Sequence, residues 1–213
     1  SAQAITKLLR EIAELVPLSP MLEATMEANP GSAEADKFSA FKDAGITRLS
    51  LGIQSFDDTQ LQALGRIHTS DQAHAAIEFT HRAGFNSFNL DIMHGLPSQT
   101  LLGAETDLHN AIAYEPSHLS WYQLTIEPNT VFHKRPPQLP VEDELADIQH
   151  CGEQLLAATG YGQYEVSAFS QRGYRCRHNS NYWSFGDYVG IGAGAHGKIS
   201  FLDGHIERYA KRR

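Results

Sequence analysis

The stretch ITRLSLGIQSF, residues 46–56, decides the fold class. Its apolar side chains alternate at Leu49, Leu51 and Ile53, the period of a β-strand with one face against a core. A helical pattern that stops near Gly45 precedes it, and a short helical pattern, DDTQLQALGR, follows it. A strand between two helices is the repeating unit of a parallel sheet, so the stretch predicts an α/β fold.

The alternation of strand and helix continues on both sides of this stretch. Further strands are predicted at Met21–Pro30, Phe85–Pro97, Ser117–Pro128 and Gly162–Ser170. The helices between them have N-cap predictions at Ser32, at Asp57 or Asp58, and at Ser70 or Asp71. Five strands in series, each joined by a helix, predict either an open doubly wound sheet or part of a (β/α) barrel.

Polar residues at the ends of the predicted strands favour the barrel. They recur at or just past the carboxyl ends of all five strands: Glu27, Gln54, Asp91, Thr125 with Glu127, and Glu165 with Ser167. In a barrel these ends converge on one face, where active sites lie. Each residue alone has an equally good structural explanation, as a helix cap or a loop ligand. The recurrence of polar residues at the ends of five strands indicates a ligand site.

Composition excludes several classes of protein. The 213 residues suffice for one domain with a real core, and a formal net charge of -8 argues against a broad nucleic-acid interface. No apolar run reaches the roughly 18–20 residues that span a bilayer. Two cysteines, Cys151 and Cys176, do not indicate a disulfide scaffold, so we expect a cytoplasmic protein. Because the chain opens on Ser1 directly in a helical pattern, we expect a piece of a longer protein.

Four side chains form the candidate ligand set. Glu27 and Asp91 are acceptors suited to ribose hydroxyls or an amino group, and Arg66 can pair with a carboxylate. With Gln54 they fit a small zwitterionic, nucleoside-like ligand better than a phosphate, since the chain has no GxxxxGK[ST] loop. The alternative for Arg66 is a surface salt bridge.

The segment CRHNSNYWSFGDYVGIGAGAHG, residues 176–197, is the least ordinary part of the sequence. His178 is a candidate haem or metal ligand, with Tyr182 and Trp183 as apolar walls. The alternative is that His178 and Asn179 tie the turn before a YVGIG strand, with Trp183 in the core. No helical pattern follows GIGAGAHG, which rejects a dinucleotide-binding loop. Its glycines serve either a flat ligand or a tight turn.

The motifs together resemble a known family. EANPGS, GITRLSLGIQSFDD, LGRIH, FNLDIMHGLPSQT, LSWYQLTIEPNT, QYEVSAFS, HNSNYW and YVGIGAGAHG are similar to the radical S-adenosylmethionine (SAM) proteins of the oxygen-independent coproporphyrinogen III oxidase-like group. The resemblance runs through nearly the whole chain. It implies a partial (β/α) barrel, truncated at both ends, in which residues 1–213 form a single radical SAM core.

The resemblance also implies cofactors and site residues. The family binds SAM and a [4Fe–4S] cluster, and its SAM contacts fall on Glu27, Gln54, Arg66 and Asp91 of this chain. The cluster motif CxxxCxxC and the GGGTP loop of the family do not occur in this sequence. The resemblance therefore implies that the cluster ligands lie outside this chain, which offers no metal site of its own.

Two functions fit the resemblance. One is a haem chaperone that binds haem and transfers it to acceptor proteins. The other is an oxygen-independent coproporphyrinogen III oxidase, a radical SAM enzyme of porphyrin biosynthesis. Asn29 in EANP, Ser55 in GIQSF and the HNxxYW motif favour the chaperone branch. A third hypothesis is an unrelated (β/α) barrel enzyme, which the motif set disfavours.

Overall fold

A computed structural model describes residues 1–212, which form two compact units: the first is Ser1–Tyr174, and the second begins at Arg175. We call them the core unit and the C-terminal unit. The prediction that residues 1–213 form a single radical SAM core stays a prediction.

The core unit holds a mostly parallel sheet and its helices. The helices are α1 (Ala2–Leu15), α2 (Ala35–Asp43), α3 (Asp58–Ala63), α4 (Ser70–Arg82), α5 (Leu101–Ala113), α6 (Val131–Lys134) and α7 (Glu142–Ala158). The strands are β1 (Thr25–Ala28), β2 (Arg48–Gln54), β3 (Phe88–His94), β4 (His118–Gln123), β5 (Gly162–Glu165) and β6 (Ala168–Ser170).

The strand order confirms the α/β prediction and matches a partial barrel. The six strands lie in the order β1-β2-β3-β4-β6-β5, and the first four are parallel. Consecutive parallel strands lie side by side with no reversal of order, so the sheet lacks the switch point of a doubly wound fold. Helix α1 packs on α2, α2 on α4, and α5 on α7, which places these helices in a layer along one face.

The predicted fifth strand, Gly162–Ser170, is wrong as a single parallel strand. It is a hairpin in which β6 runs antiparallel to both β4 and β5. The turn at Val166 and Ser167 follows β5 and precedes β6. Because β5 runs in the direction of β4, this turn lies at the edge where the parallel strands end.

The apolar core lies between the sheet and its helices. Leu49, Leu51 and Ile53 of β2 are fully buried there, as the alternation in residues 46–56 predicts. The strands β3 and β4 contribute Leu90, Ile92, Leu119 and Trp121, and the helices contribute Phe38, Ile77, Leu108, Ile148 and Leu156. The alternate residues of each strand are thereby directed to the opposite face of the sheet.

Two of the three predicted N-caps are displaced. Asp57 caps α3 as predicted and accepts from the Thr59 N–H. Helix α4 is capped by Thr69 rather than Ser70 or Asp71. Glu34 occupies the N-cap position of α2, because Ser32 lies in a short 3-10 helix, Pro30–Ser32.

The C-terminal unit contains one helix and a two-stranded sheet. These are α8 (Arg177–Trp183), β7 (His196–Ser200) and β8 (Ile206–Ala210). The expected YVGIG strand is reduced to a single bridge between Tyr188 and Lys198, and Trp183 is 56% exposed. The alternative that placed Trp183 in a core is therefore wrong. Within residues 1–212, none of the helices combines the length and apolar character of a membrane span.

Candidate functional site

The candidate site lies on the face of the sheet opposite the helices, which we call the inner face. The strand residues that alternate with the buried core residues point to this face, and hydrogen bonds link them across three strands. They are Ser50 of β2, Asn89 and Asp91 of β3, and His118, Ser120 and Tyr122 of β4. The polar residues on this face, opposite an apolar one, are candidates for binding a polar ligand, while Met93 and Tyr122 of the same face also belong to a small apolar cluster with Leu96 and Leu124.

Gln54 reaches the inner face through an irregularity in β2. The register between β2 and β3 shifts between Leu51 and Gln54, which marks a β-bulge. Gln54 itself has φ 70, in the left-handed region that a residue with a Cβ rarely adopts. Bulges next to functional sites re-aim a side chain, and strain of this kind persists where the surroundings enforce it.

Gly52 leaves room for the redirected amide. A Cβ at this position would lie 3.0 Å from Gln54 Nε2 and 3.5 Å from Asn29 Oδ1. Because 3.0 Å is closer than ordinary van der Waals contact, a side chain at residue 52 would displace the Gln54 amide. The glycine of GIQSF is thus explained by packing around Gln54.

Tyr122 connects three of the four predicted ligand residues. Its hydroxyl donates to Gln54 Oε1 at 2.5 Å. Burial and the Asp91 carboxylate raise the pKa of Tyr122 to about 12, while the Arg66 guanidinium acts in the opposite direction. Gln54 thus contacts the Tyr122 hydroxyl, and the charges of Asp91 and Arg66 act on the same phenol, although the three residues come from different segments of the chain.

Asp91 is held from two sides. Asn89 Nδ2 donates to Asp91 Oδ1 at 2.8 Å, and Ser50 Oγ donates to Oδ2 at 3.2 Å. Glu27 of β1 is exposed and stands opposite Ser50 in the parallel register, hence on the same face. The structure thus places all four predicted residues on the inner face or at its rim, with Arg66 exposed in the loop after α3.

Asp91 lies earlier in its strand, further from the carboxyl end, than the sequence predicts. It is the fourth residue of β3, which continues to His94, rather than a strand-end residue. The register nevertheless places its neighbour Ile92 opposite Gln54, the last residue of β2. Because β3 extends further than β2, its middle lies level with the end of β2, and the two side chains share one site.

A buried histidine lies beneath Asp91 on the same face. His118 is 1% exposed, and its ring lies 2.6 Å from Asn89 Oδ1 and 2.5 Å from the Tyr164 hydroxyl. Burial, together with the buried Arg48 guanidinium, lowers the pKa of His118 to about 3. The imidazole is therefore neutral at physiological pH.

The loop after Gln54 is anchored on the helix side of the sheet. Asp107 of α5 accepts from Ser55 Oγ at 2.6 Å and from the Phe56 N–H at 2.7 Å. Burial raises the pKa of Asp107 to about 6, against the lowering effect of these two donors. The anchor fixes the chain directly after Gln54 and so supports the position of its side chain.

Two of the strand-end pairs have local partners instead. Thr125 Oγ1 donates to Glu127 Oε1 in an exposed loop, and the Ser167 N–H donates to the Glu165 carboxylate at the hairpin turn. These contacts match the structural alternative for such residues. The structure does not bring them into the cluster around Tyr122.

His178 lies in the C-terminal unit, on α8. Its ring is exposed and meets the Tyr182 ring edge-on, with 4.8 Å between the centroids. Tyr182 also packs against Tyr188 at 4.6 Å. The turn that follows is tied by Asn181, whose Nδ2 donates to the Asp187 carbonyl, rather than by His178.

The glycines of GIGAGAHG have a structural explanation at two positions. A Cβ on Gly190 would lie 2.0 Å from the His196 carbonyl oxygen, and one on Gly197 would lie 2.0 Å from the Tyr209 ring. Both glycines therefore permit close contact within the C-terminal unit. The tight-turn alternative accounts for them without a ligand.

The residues of the inner face fit SAM better than an iron–sulfur cluster. The inner face offers a guanidinium for a carboxylate, two carboxylates for hydroxyls and an amine, and an amide held by Tyr122. By contrast, the family motif needs three thiolates and this chain has two cysteines. Among residues 1–212, no group of three or more His, Cys, Asp or Glu side chains is arranged to hold a metal ion.

Sequence comparisons identify close relatives. The heme chaperone HemW of Haemophilus influenzae is 54% identical over 211 residues, which are 99% of this chain and 55% of that protein. The heme chaperone HemW of Escherichia coli K12 is 54% identical over 213 residues, 100% of this chain and 56% of that protein. The chain thus spans about half the length of the curated relatives it matches.

The fold has a solved counterpart. The radical SAM enzyme coproporphyrinogen III oxidase (HemN) from Escherichia coli superposes with a TM-score of 0.78 at 21% identity, covering 92% of this chain and 49% of that chain. At this identity the match shows the fold, which is the partial barrel. The family model described as the radical SAM superfamily matches residues 2–108, and this segment contains β1, β2, β3 and all four predicted ligand residues. The chain belongs to the radical SAM superfamily.

Proposed function

We propose that the protein is a haem chaperone that binds haem and passes it to acceptor proteins in the cytoplasm. Its two relatives at 54% identity are both named heme chaperones, and they match essentially the whole chain. The proposal includes SAM and a [4Fe–4S] cluster in the full-length protein, with the cluster thiolates outside this chain. When bound together, these cofactors supply reductive cleavage of SAM.

The observation that carries the cofactor assignment is the convergence around Tyr122. Arg66 is assigned to the SAM carboxylate, and Glu27 and Asp91 to its amine and ribose hydroxyls. Gln54, held by Tyr122, supplies an amide to the same ligand. A guanidinium and two carboxylates on one polar face match a zwitterionic nucleoside, which carries both charges and a diol.

The haem assignment rests on α8. His178 is exposed, so an iron atom can approach its imidazole, and neutral imidazole is a common axial ligand. Tyr182 is 43% exposed, Trp183 56% and Phe185 82%, so three exposed aromatic rings follow the histidine in the chain. Aromatic rings left open to solvent in one short segment are suited to the face of a porphyrin.

A histidine substitution tests this assignment. In full-length protein, His178→Ala should shift the Soret band and weaken haem binding about tenfold or more, since an axial ligand is lost. The midpoint temperature should stay within a few degrees, because the side chain is exposed. His205→Ala, another exposed histidine of the same unit, is the control. Unaltered haem spectra in His178→Ala would remove His178 from the haem site.

Coproporphyrinogen III oxidase activity is the second candidate. The fold match to HemN favours it. Ser55 argues for the chaperone, because its hydroxyl donates to the buried Asp107 carboxylate at 2.6 Å. An aspartate there, as the oxidase branch tends to carry, would bring two carboxylates together. Anaerobic conversion of coproporphyrinogen III by the reconstituted full-length protein would establish the oxidase and overturn the chaperone assignment.

A further inference from the structure

We propose that Asn89 is a positioning residue for Asp91, and that a directed hydrogen-bond chain, Tyr164 to His118 to Asn89 to Asp91, fixes the carboxylate for SAM. The inference rests on the proposed SAM site and extends it to three residues that contact no ligand in that proposal. Its basis is a series of contacts from β3 through β4 to β5, all on the inner face.

The direction of the chain follows from Asp91. An ionised carboxylate only accepts hydrogen bonds, so the Asn89 atom 2.8 Å from Asp91 Oδ1 must be the amide nitrogen. The same nitrogen lies 2.8 Å from Ser50 Oγ, which donates in turn to Asp91 Oδ2. The Asn89 amide oxygen therefore faces the opposite way, toward β4.

The amide oxygen of Asn89 then determines the tautomer of His118. This oxygen accepts from Ser120 Oγ at 3.2 Å and lies 2.6 Å from His118 Nδ1, which must carry a proton to donate. Burial keeps the imidazole neutral, so Nε2 is unprotonated and accepts from the Tyr164 hydroxyl at 2.5 Å. Every donor in the series points toward Asp91.

Such a chain matters because an aspartate has little intrinsic rotational preference. The terminal torsion of Asp is broad, so its oxygen positions depend on the groups that bind them. Asn89 Nδ2 and Ser50 Oγ each hold one oxygen, leaving the remaining lone pairs for ligand hydroxyls or an amine. Asn89 acts correctly only with its amide in one of two orientations, and His118 with Ser120 selects that orientation.

The decisive variant is Asn89→Asp. Its carboxylate keeps the acceptor for His118 but places an oxygen 2.8 Å from Asp91 in place of the amide donor. Two carboxylates this close share one proton and titrate well above the usual range for aspartate. When the pair holds one proton, the carboxylic acid at position 89 donates to Asp91 as the amide does. We expect SAM affinity about tenfold below that of the unmodified protein near pH 8, with most of the loss recovered near pH 6.

Other ionisable groups on this face remain in the Asn89 and Ser120 variants, so each affinity is compared with that of the unmodified protein at the same pH. These groups are Glu27 of β1, Arg48 of β2, His118 and Tyr122 of β4, Tyr164 of β5, and Arg66 of the loop after α3.

Titration calorimetry of SAM against the reconstituted full-length protein gives the readout. Asn89→Leu should bind SAM about tenfold more weakly at both pH values, because no proton restores its donor. Ser120→Ala, which removes only the 3.2 Å contact to the same oxygen, should stay within about twofold. Asn89 variants with the affinity of the unmodified protein, or a pH-independent loss in Asn89→Asp, would overturn the proposal.

Asp91→Ala separates this inference from the SAM site itself. If Asp91→Ala binds SAM normally, the proposed site fails; if it loses SAM while Asn89→Leu does not, only the positioning role fails. Should the Asn89 variants not fold, His118→Phe breaks the chain one bond further from Asp91. Unchanged SAM affinity in folded His118→Phe also contradicts the proposal.

Discussion

Gln54 shows how one residue can oppose its local preference to serve a site. Its backbone at φ 70 disfavours any residue with a Cβ, yet its side chain is hydrogen-bonded to Tyr122 and buried on the inner face. A left-handed conformation costs roughly 1–2 kcal/mol for a residue other than glycine. The hydrogen bond to Tyr122 offsets this cost, and Gly52 leaves the room that the amide needs to make it.

Gln54→Gly and Gln54→Ala measure the strain directly. Both variants lose the hydrogen bond to Tyr122, and only alanine keeps the strained Cβ. We expect Gln54→Gly to be about 1 kcal/mol more stable than Gln54→Ala, the reverse of the usual order of these residues. Denaturant unfolding measures the difference, and both variants should bind SAM more weakly. An alanine variant equal to or more stable than the glycine variant would show that residue 54 is unstrained.

His94 predicts a loss of stability in mild acid. Its ring is fully buried and stacks on Trp121 with 4.5 Å between centroids. Burial lowers the pKa of His94 to about 4, from an ordinary value of 6.5. The unfolded chain therefore binds the proton more readily between these values, so the stabilisation is present above pH 6.5 and is lost as pH falls toward 4.

His94→Phe should remove this contribution while keeping the stacking on Trp121. Between about pH 7.5 and pH 5 the variant should lose about 2 kcal/mol less unfolding free energy than the unmodified protein. Urea denaturation at the two pH values is the measurement. Equal losses in both proteins would mean that His94 is not a buried neutral histidine.

At the scale of elements, the sequence predicts strands better than helix ends. The apolar alternation of β2 and the glycines that follow α2, α3, α4 and α7 reflect local chemistry, and the structure confirms four of the five predicted strands. The hairpin of β5 and β6 was missed because its turn, Val166 and Ser167, contains no glycine, proline or asparagine. The antiparallel pairing of β6 with β4 is set by contacts distant in sequence.

The N-cap of α4 allows a stability test between the residue that the sequence predicts, Ser70, and the residue that the structure shows, Thr69. Thr69 accepts from the Gln72 N–H, and the Gln72 side chain accepts from the Thr69 N–H in return. Thr69→Ala should lower stability by about 1 kcal/mol, because a capping box is lost. Ser70→Ala, the position favoured by the sequence, should change stability by less than about 0.5 kcal/mol. Thermal unfolding of both variants measures these losses of stability. A larger loss in Ser70→Ala than in Thr69→Ala would show that Ser70 is the cap, as the sequence predicts.

At the scale of the whole molecule, the sequence predicts four candidate ligand residues but not the contacts that hold them. Glu27, Gln54, Arg66 and Asp91 were found from their positions after strands and from a family resemblance. Tyr122 and the network beneath Asp91 depend on register between strands: Asn89 and His118 are 29 residues apart, and Gln54 and Tyr122 are 68 apart. Only the alternation of β4, with Leu119 and Trp121 in the core, indicates that Tyr122 faces inward.

The most direct test of the central claim is the affinity for SAM of Arg66→Ala in the reconstituted full-length protein. If the cluster around Tyr122 is the SAM site, loss of the carboxylate partner should cost roughly 1.5–3 kcal/mol, or about one to two decades in affinity. Arg82→Ala is the matched control, because Arg82 lies over the Phe79 ring on α4. Calorimetry that gives Arg66→Ala the affinity of the unmodified protein would contradict the assignment of this face to SAM.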